Sequence, residues 1–530
     1  MTKLVVNTDR GFWIAACLII VFVYFFGLSV PLLGPDEPRY AQVASEMFER
    51  GDWVTPTLGG FNWFEKPALL YWLQIISYSV FGLSEFAARF GSALFGLGTI
   101  FAMWVLGRTY AEESSAPEGD GSSTADIANW FALFMASALG LIVFSRGASF
   151  DIILTFPIAA SLISYYVFDS RTRSGTVAGA HTSFPLFLFY FFAGVAVLAK
   201  GLVGGVFPVS IVVVYHLFVR RFPDRKLLTS LAWGPIVTVA VCATWYVPMY
   251  LRHGWEFIDE FIIQHHFQRY TSNKYLHPQP FYFFFWVLPL MTVPWIPFFF
   301  AAVVTFTRRI FRPVPEADGP GRAESRSEGT IERSNGKARP ETSPLLAFAS
   351  AWVLVPLLFF SFSGSKLPGY ILPVLPGAVA VTSIYLLELM QKRPQLERWL
   401  RFIAVVHFVI VTALLVFALP QYADTDTVKG LITDADRAGH GDAMVLPFIT
   451  VSHSAEFYAR GRLPRNDEGR QRRFESPVEI RTFIEKEEKN GALVLVPVEH
   501  EMRLNAGQHL SVERIRDNGD LTIYFVRPKK

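Results

Sequence analysis

Repeated apolar stretches of membrane-crossing length constrain this chain more than any other feature. About eleven can be traced, at 12–33, 85–106, 127–145, 149–168, 184–199, 202–219, 228–251, 281–307, 344–363, 368–390 and 400–420. A helix needs ~20 apolar residues to span the hydrocarbon core, and only helices or closed barrels satisfy their own backbone there. The first stretch is too long for a signal-peptide core and no small-x-small cleavage pattern follows it, so it reads as a membrane helix. Composition agrees. Charged residues make up only 18% of the 530, and 50 Phe and 13 Trp are too much apolar surface for a soluble enzyme or a disordered chain. The net charge of +3 gives no basic field that would select nucleic acid. Cys17 and Cys242 both lie in apolar runs, so no disulfide framework or cysteine zinc motif is available.

Lys and Arg set the orientation, because basic loops stay on the cytoplasmic side. With the N-terminus inside, the cytoplasmic loops hold Arg171 and Arg173, then Arg220, Arg221, Arg225 and Lys226, then Arg308, Arg309 and Arg312, then Lys392, Arg393, Arg398 and Arg401. Residues 67–82 are apolar but short, and a span there would invert every later loop. They are expected to form an interfacial or re-entrant helix. Segment 313–343 is rich in Glu, Ser, Gly, Pro and Arg and reads as a disordered cytoplasmic linker. Beyond residue 420 the chain turns polar, with short β-rich runs such as 443–445, 492–497 and 521–526. The expected organisation is a transmembrane domain over 1–420, with a first outer loop at 34–84. A small α/β domain over 421–530 follows, outside the membrane.

In this topology the unusual ionic residues share the outer side. They are Asp36 and Glu37, Glu65 and Lys66, Arg146 with Asp151, Lys200, His265 and His266 with Arg269, and Lys366. Positive charge at outer boundaries runs against the usual bias and asks for a functional reason. After Gly34-Pro35-Asp36-Glu37-Pro38, apolar residues recur at Tyr40, Val43, Ala44, Met47 and Phe48, the spacing of an amphipathic surface helix that Gly51 ends. Asp36 is placed either to cap that helix or to serve as a general base. Lys66 precedes Pro67, which fixes its position. It can snorkel toward water or hold a phosphate. Asp151 opens an apolar helix, where a carboxylate also suits the dipole. Lys200 lies in a short turn at the lipid interface. His265 and His266 with Glu65 have the donor types of a zinc site, without a zinc spacing signature. Arg269 and Arg146 can grip a phosphate, and Lys366, in the turn Ser363-Gly364-Ser365-Lys366, adds another cation. Together these residues describe an outward-facing cavity suited to an anionic lipid.

At these residues the chain resembles the bacterial membrane glycosyltransferases of the GT-C fold. The nearest likeness is to the aminoarabinose (ArnT-like) transferases and their dolichyl-phosphate-mannose protein mannosyltransferase-like relatives. The resemblance rests on Asp-Glu-Pro-Arg-Tyr at 36–40, Gly-Asp-Trp-Val-Thr-Pro at 51–56, Phe-Glu-Lys-Pro at 64–67, Leu-Tyr-Trp-Leu at 70–73 and Ser-Glu-Phe-Ala-Ala-Arg at 84–89. Leu-Ala-Lys-Gly at 198–201 and Lys-Leu-Pro-Gly-Tyr-Ile-Leu-Pro at 366–373 complete it. It differs at Lys66-Pro67-Ala68, where relatives commonly have Lys-Pro-Pro.

The resemblance implies a multi-pass enzyme of the bacterial inner membrane, with its site facing the periplasm. It would move a sugar from a polyprenyl (undecaprenyl) phosphate to lipid A or another envelope glycolipid. Asp36 would be the catalytic carboxylate, and Lys66 and Arg269 would contact the lipid phosphate. To these the reading of the residues themselves adds Asp151 as a second carboxylate and Lys200, Lys366 and Arg146 as further phosphate-binding cations. Glu65 with His265 or His266 would bind a divalent metal, zinc in type. A polypeptide acceptor, as in protein O-mannosyltransferases, and a non-enzymatic polyprenyl-lipid flippase are the alternatives.

Overall fold

The structure is a computed structural model, and it describes residues 10–114, 121–175, 183–268, 278–311, 343–487, 490–507 and 509–529. The linker expected at 313–343 falls, but for residue 343, outside the described residues.

Among the described residues, seven helices are long and apolar enough to cross a membrane: Glu85–Ser114, Phe150–Arg173, Ser183–Lys200, Gly234–His265, Pro344–Ser361, Pro368–Lys392 and Leu396–Asp426. Two more are broken pairs. Thr124–Ala136 and Leu139–Ser145 meet at 64°, and Phe283–Met291 and Ile296–Arg309 at 119°. If each pair is one crossing the count reaches nine, against about eleven expected. The expected spans 12–33 and 202–219 form Arg10–Phe25 and Val203–Val219, of 16 and 17 residues. At 1.5 Å per residue these reach about 24–26 Å, and Val203–Val219 runs from the cavity end, after Lys200, to the far end, where Arg221 pairs with Asp169. The first ends early because Gly27 takes a φ of +69° and the chain then runs without helix to Gly34. The expected span 281–307 is also corrected. It breaks at residues 292–295, where Pro294 lacks the N–H a continuous helix would need.

The two breaks are bonded to each other. Leu139 N donates to Val293 O at 2.9 Å, and Trp295 Nε1 donates to Ser137 Oγ at 2.9 Å. Gly140 packs so closely on Met291 that a side chain there would overlap it. This lock sets the direction of Leu139–Ser145, and hence where Arg146 and the loop to Asp151 emerge.

The ionic residues divide between the two ends of the bundle. Helix Phe150–Arg173 has 24 residues, about 36 Å end to end. Asp151 lies in its first turn, and Asp169 and Arg173 lie at the far end. There Asp169 accepts from Arg173 Nε at 2.9 Å and from Tyr215 at 2.7 Å, and it also pairs with Arg221. Glu113 takes Arg173 at 2.5 Å and Tyr166 at 2.7 Å. In this Asp169–Glu113 cluster the charges are matched and hydrogen-bonded, the condition for keeping charge in a low-dielectric setting.

At the near end, helix Asp36–Arg50 buries Tyr40, Val43, Ala44 and Met47, while Phe48 is left exposed. Gly51 closes it in the left-handed region, its N–H on the carbonyls of Met47 and Phe48. A short hairpin, β1 Thr57–Leu58 and β2 Phe61–Asn62, leads to helix Leu69–Phe81. Its 13 residues reach about 20 Å, too short to cross.

The C-terminal region carries a sheet of β3 Val445–Pro447, β4 Ala492–Pro497, β5 Leu510–Asp517 and β6 Leu521–Pro528, in the order β3-β4-β6-β5. The β3–β4 pair is parallel and the others are antiparallel. Alternation sends Leu493, Leu495, Ile523 and Phe525 to one face, against Leu431 and Ile432. Val494, Val496, Tyr524 and Val526 face the other way, against Ile480, Ile484 and Leu504. Helices cover both faces, so β4 reads as a continuous apolar run. The helix Leu396–Asp426 runs past residue 420, the expected boundary, before this region begins.

Candidate active site

Where the near ends of the helices meet segment 34–84, they enclose a cavity of about 980 Å³. One end is ionic and gathers Asp36, Glu65, Lys66, Arg146, Asp151, Lys200 and His265. The other wall is apolar, made by Leu139, Ile142 and Val143 of the broken helix and by Val411, Leu414 and Leu415 of the last long helix. The last long helix adopts a π-helical turn at Leu414–Ala418, a local widening often found at functional sites.

Asp36 does not cap its helix. Pro35 holds the cap position without a side-chain cap bond, and Asp36 stands in the first turn. Its carboxylate pairs with Arg39 at 2.5 Å and its side chain is 51% exposed where it lines the cavity. Arg39 lies 5.9 Å over the Trp63 ring. Burial works against the Arg39 charge, but the Asp36 and Glu65 carboxylates outweigh it and hold the guanidinium above its ordinary value.

Lys66 and Glu65 stand 3.4 Å apart and both are mostly buried. Arg146 donates to the carbonyl of Val23 and has no carboxylate within ion-pair distance among the described residues. Burial, then the charge of Arg89, pushes it down to about 10, still cationic at neutral pH. A half-buried guanidinium beside another cation is relieved by any anion that enters.

Asp151 accepts from Lys200, whose ammonium also lies 4.6 Å over the Tyr370 ring. The cap of this helix is Ser149, whose hydroxyl accepts from Asp151 N at 3.2 Å. The Asp151 carboxylate is therefore free of capping duty and turned into the cavity. Gly369 packs against it so tightly that any side chain there would overlap the carboxylate.

Some expected residues are placed otherwise. Lys366 does not line the cavity. Its ammonium donates to the carbonyls of Ser363 at 2.6 Å and Gln279 at 3.0 Å, and burial lowers its pKa. It ties the turn, while Leu367 and Tyr370 beside it reach the cavity. Arg269 lies outside the described residues, as does the side chain of His266. Glu65 and His265 both line the cavity. Among the described residues, however, no set of three or more His, Cys, Asp or Glu side chains converges. The described donors fall short of the ligand set of a zinc site.

The residues that hold this end in place were not assigned a role from sequence. Arg89, 2% exposed, donates to the carbonyls of Leu28, Val30 and Pro31 and pairs with Glu37 at 2.5 Å. Glu37 also accepts from Leu33 N at 2.8 Å and Ala148 N at 2.7 Å. One ion pair thus ties the segment before Asp36 to the loop before Asp151. An arginine inside an otherwise apolar helix was the available signal.

Comparison with known proteins finds relatives by sequence and by fold. Residues 14–263 match the dolichyl-phosphate-mannose-protein mannosyltransferase family. An undecaprenyl phosphate-alpha-4-amino-4-deoxy-L-arabinose arabinosyl transferase of Aeromonas hydrophila subsp. hydrophila is 30% identical over 420 residues, covering 76% of this chain and 66% of that protein. The enzyme of that name from Serratia proteamaculans is 30% identical over 71% of this chain and 59% of its own length. The chain therefore spans less than two thirds of each. The crystal structure of ArnT from Cupriavidus metallidurans bound to undecaprenyl phosphate superposes with a TM-score of 0.73 at 21% identity, covering 98% of both chains. By sequence and by fold alike, this chain belongs with the ArnT-like, multi-pass membrane proteins of the GT-C fold.

Proposed function

We propose that the protein is a glycosyltransferase that moves a sugar from a polyprenyl (undecaprenyl) phosphate to an envelope glycolipid, lipid A in type. It would work on the periplasmic face of the bacterial inner membrane. One observation carries the reading: a single cavity joins an ionic end, with carboxylates and cations from separate helices, to an apolar wall built by two apolar helices. That combination suits a phosphate on a hydrocarbon chain. The relatives named for an undecaprenyl-phosphate sugar support the donor class. The positive-inside bias supports the periplasmic face: Arg171, Arg173, Arg220 and Arg221 lie at the end of the bundle away from the cavity, as cytoplasmic loops would.

In this reading Lys66 and Arg146 hold the donor phosphate, joined by Arg269. Asp36 takes the proton of an acceptor hydroxyl as its oxygen attacks the anomeric carbon. The bond from that carbon to the phosphate oxygen breaks, its electron pair leaves with the phosphate, and the cations stabilise the departing charge. Attack opposite the leaving group inverts the anomeric centre. If the acceptor is itself a phosphate, no proton is removed and Asp36 acts by orienting the nucleophile. Asp151, held by Lys200, is the second carboxylate at the same centre.

The test is turnover by the purified full chain in lipid nanodiscs with a polyprenyl-phosphate sugar, offered either an outer-leaflet glycolipid or a peptide. Mass spectrometry should show the glycolipid gain one sugar and the polyprenyl phosphate appear in equal amount. A sugar on the peptide would move the reading to a protein acceptor. Transfer of the intact donor between leaflets, with no product on either acceptor, would mark a carrier and contradict it.

A further inference from the structure

The segment that carries Asp36 is held from two sides, and one side is the C-terminal region. Three successive backbone N–H groups precede the Gly34–Pro35 turn. Leu33 N is satisfied locally by Glu37. Its two neighbours are satisfied from about four hundred residues away. Leu32 N donates to the Tyr458 hydroxyl at 2.8 Å, and Gly34 N donates to Asp426 Oδ2 at 2.7 Å. Both donors are partly buried, and a buried N–H left unmet is costly, so these two acceptors fix the segment's path.

The Tyr458 acceptor is itself held. Tyr458 donates onward to Glu85 Oε1 at 3.1 Å, and Lys429 pairs with the same Glu85 oxygen at 2.5 Å. Glu85 opens the helix that carries Arg89, whose guanidinium takes the carbonyls of this same segment. Gly34 sits at φ +61°, a conformation with its own N–H pointed at Asp426, and Asp36 follows two residues later.

We propose that the end of the last long helix and the C-terminal α/β region together set the position of Asp36, with Asp426 and Tyr458, respectively, as the positioning residues. Neither lines the cavity, so neither touches a substrate there. Their acceptors determine where the turn before Asp36 lies. Removing them lets the Asp36 carboxylate wander from the reacting hydroxyl, while Lys66, carried by a different loop, keeps its place. The effect therefore belongs in kcat and not in the KM for the donor.

This inference rests on Asp36 being the reacting carboxylate, and the experiment separates the two ideas. Tyr458→Phe with Asp426→Ala removes both acceptors and leaves the ring. Asp426→Asn keeps an acceptor oxygen and serves as the conservative control. In the full chain, the double variant should lower kcat by about ten- to a hundredfold, the scale set by misplacing a catalytic group by about 1 Å. Donor KM should change less than about twofold. Hydrogen exchange should rise in peptides covering residues 28–36 and not in those covering the far-end helices. Asp426→Asn alone should stay within about twofold of wild type.

Unchanged exchange at 28–36 with unchanged kcat would overturn the proposal. So would faster exchange throughout the chain with kcat and KM failing together, since that marks general destabilisation. Should Asp36→Asn retain turnover, the role of Asp36 falls. A local rise in exchange would still uphold the coupling of the C-terminal region to the loop.

Discussion

Asp36→Asn is expected to cut glycosyl transfer by about 10²- to 10⁴-fold, the usual contribution of a positioned general base. The substitution keeps the side chain's shape, and the amide oxygen can still accept from Arg39, 2.5 Å away. What it loses is the capacity to take a proton or to offset positive charge at the anomeric centre. Stability should barely change, because the Asp36–Arg39 pair is half-exposed and such pairs contribute about 0–1 kcal/mol. Donor KM should also hold, since Lys66 and Arg146 are untouched. Turnover and thermal unfolding measured on one preparation separate these effects. Wild-type turnover by the variant would remove Asp36 from the chemistry, and a collapse in unfolding temperature would make the loss structural.

Arg89→Ala should produce the largest loss of stability at this end of the molecule, about 3–5 kcal/mol, the cost of stripping one partner from a buried pair. Arg89 is almost fully buried and serves three carbonyls and one carboxylate at once. Removing it strands Glu37, whose remaining partners are the backbone N–H groups of Leu33 and Ala148. Arg89→Lys should recover only part of the loss, because an ammonium cannot reproduce the planar fork of donors that spans these acceptors. Turnover should fall with stability in both variants, since the same pair ties the loops before Asp36 and before Asp151. Unfolding curves in a fixed detergent measure the effect. An Arg89→Ala protein as stable as wild type would mean that the carbonyls of Leu28, Val30 and Pro31 find other donors.

How far these features can be read from sequence depends on their range along the chain. Local periodicity was enough for the long helices, and the amphipathic face of Tyr40, Val43, Ala44 and Met47 packs inward as its spacing implies. Of the ionic residues expected to share one side, Asp36, Lys66, Arg146, Asp151, Lys200 and His265 line one cavity. Hydropathy could not show that two apolar runs are broken. The bends at residues 137–138 and 292–295 exist because each break satisfies the other's backbone and side-chain groups. Nor could it tell a ligand-binding cation from one that braces a turn. Lys66 faces the cavity, whereas Lys366, in an equally suggestive motif, donates to two carbonyls. The bonds from Tyr458 to Leu32 and from Asp426 to Gly34 join residues hundreds of positions apart, and no local pattern records such a pair.

The account stands on one placement: a lipid phosphate sits among cations carried by separate helices, at the end of the bundle that holds Asp36. An electron-microscopy structure of the full chain with undecaprenyl phosphate in nanodiscs measures this directly. The phosphate should lie within hydrogen-bonding distance of Lys66 and Arg146, with the prenyl chain leaving along the wall of Val411, Leu414 and Leu415. A phosphate found instead at the opposite end of the bundle, beside Arg173 and Arg221, would contradict it.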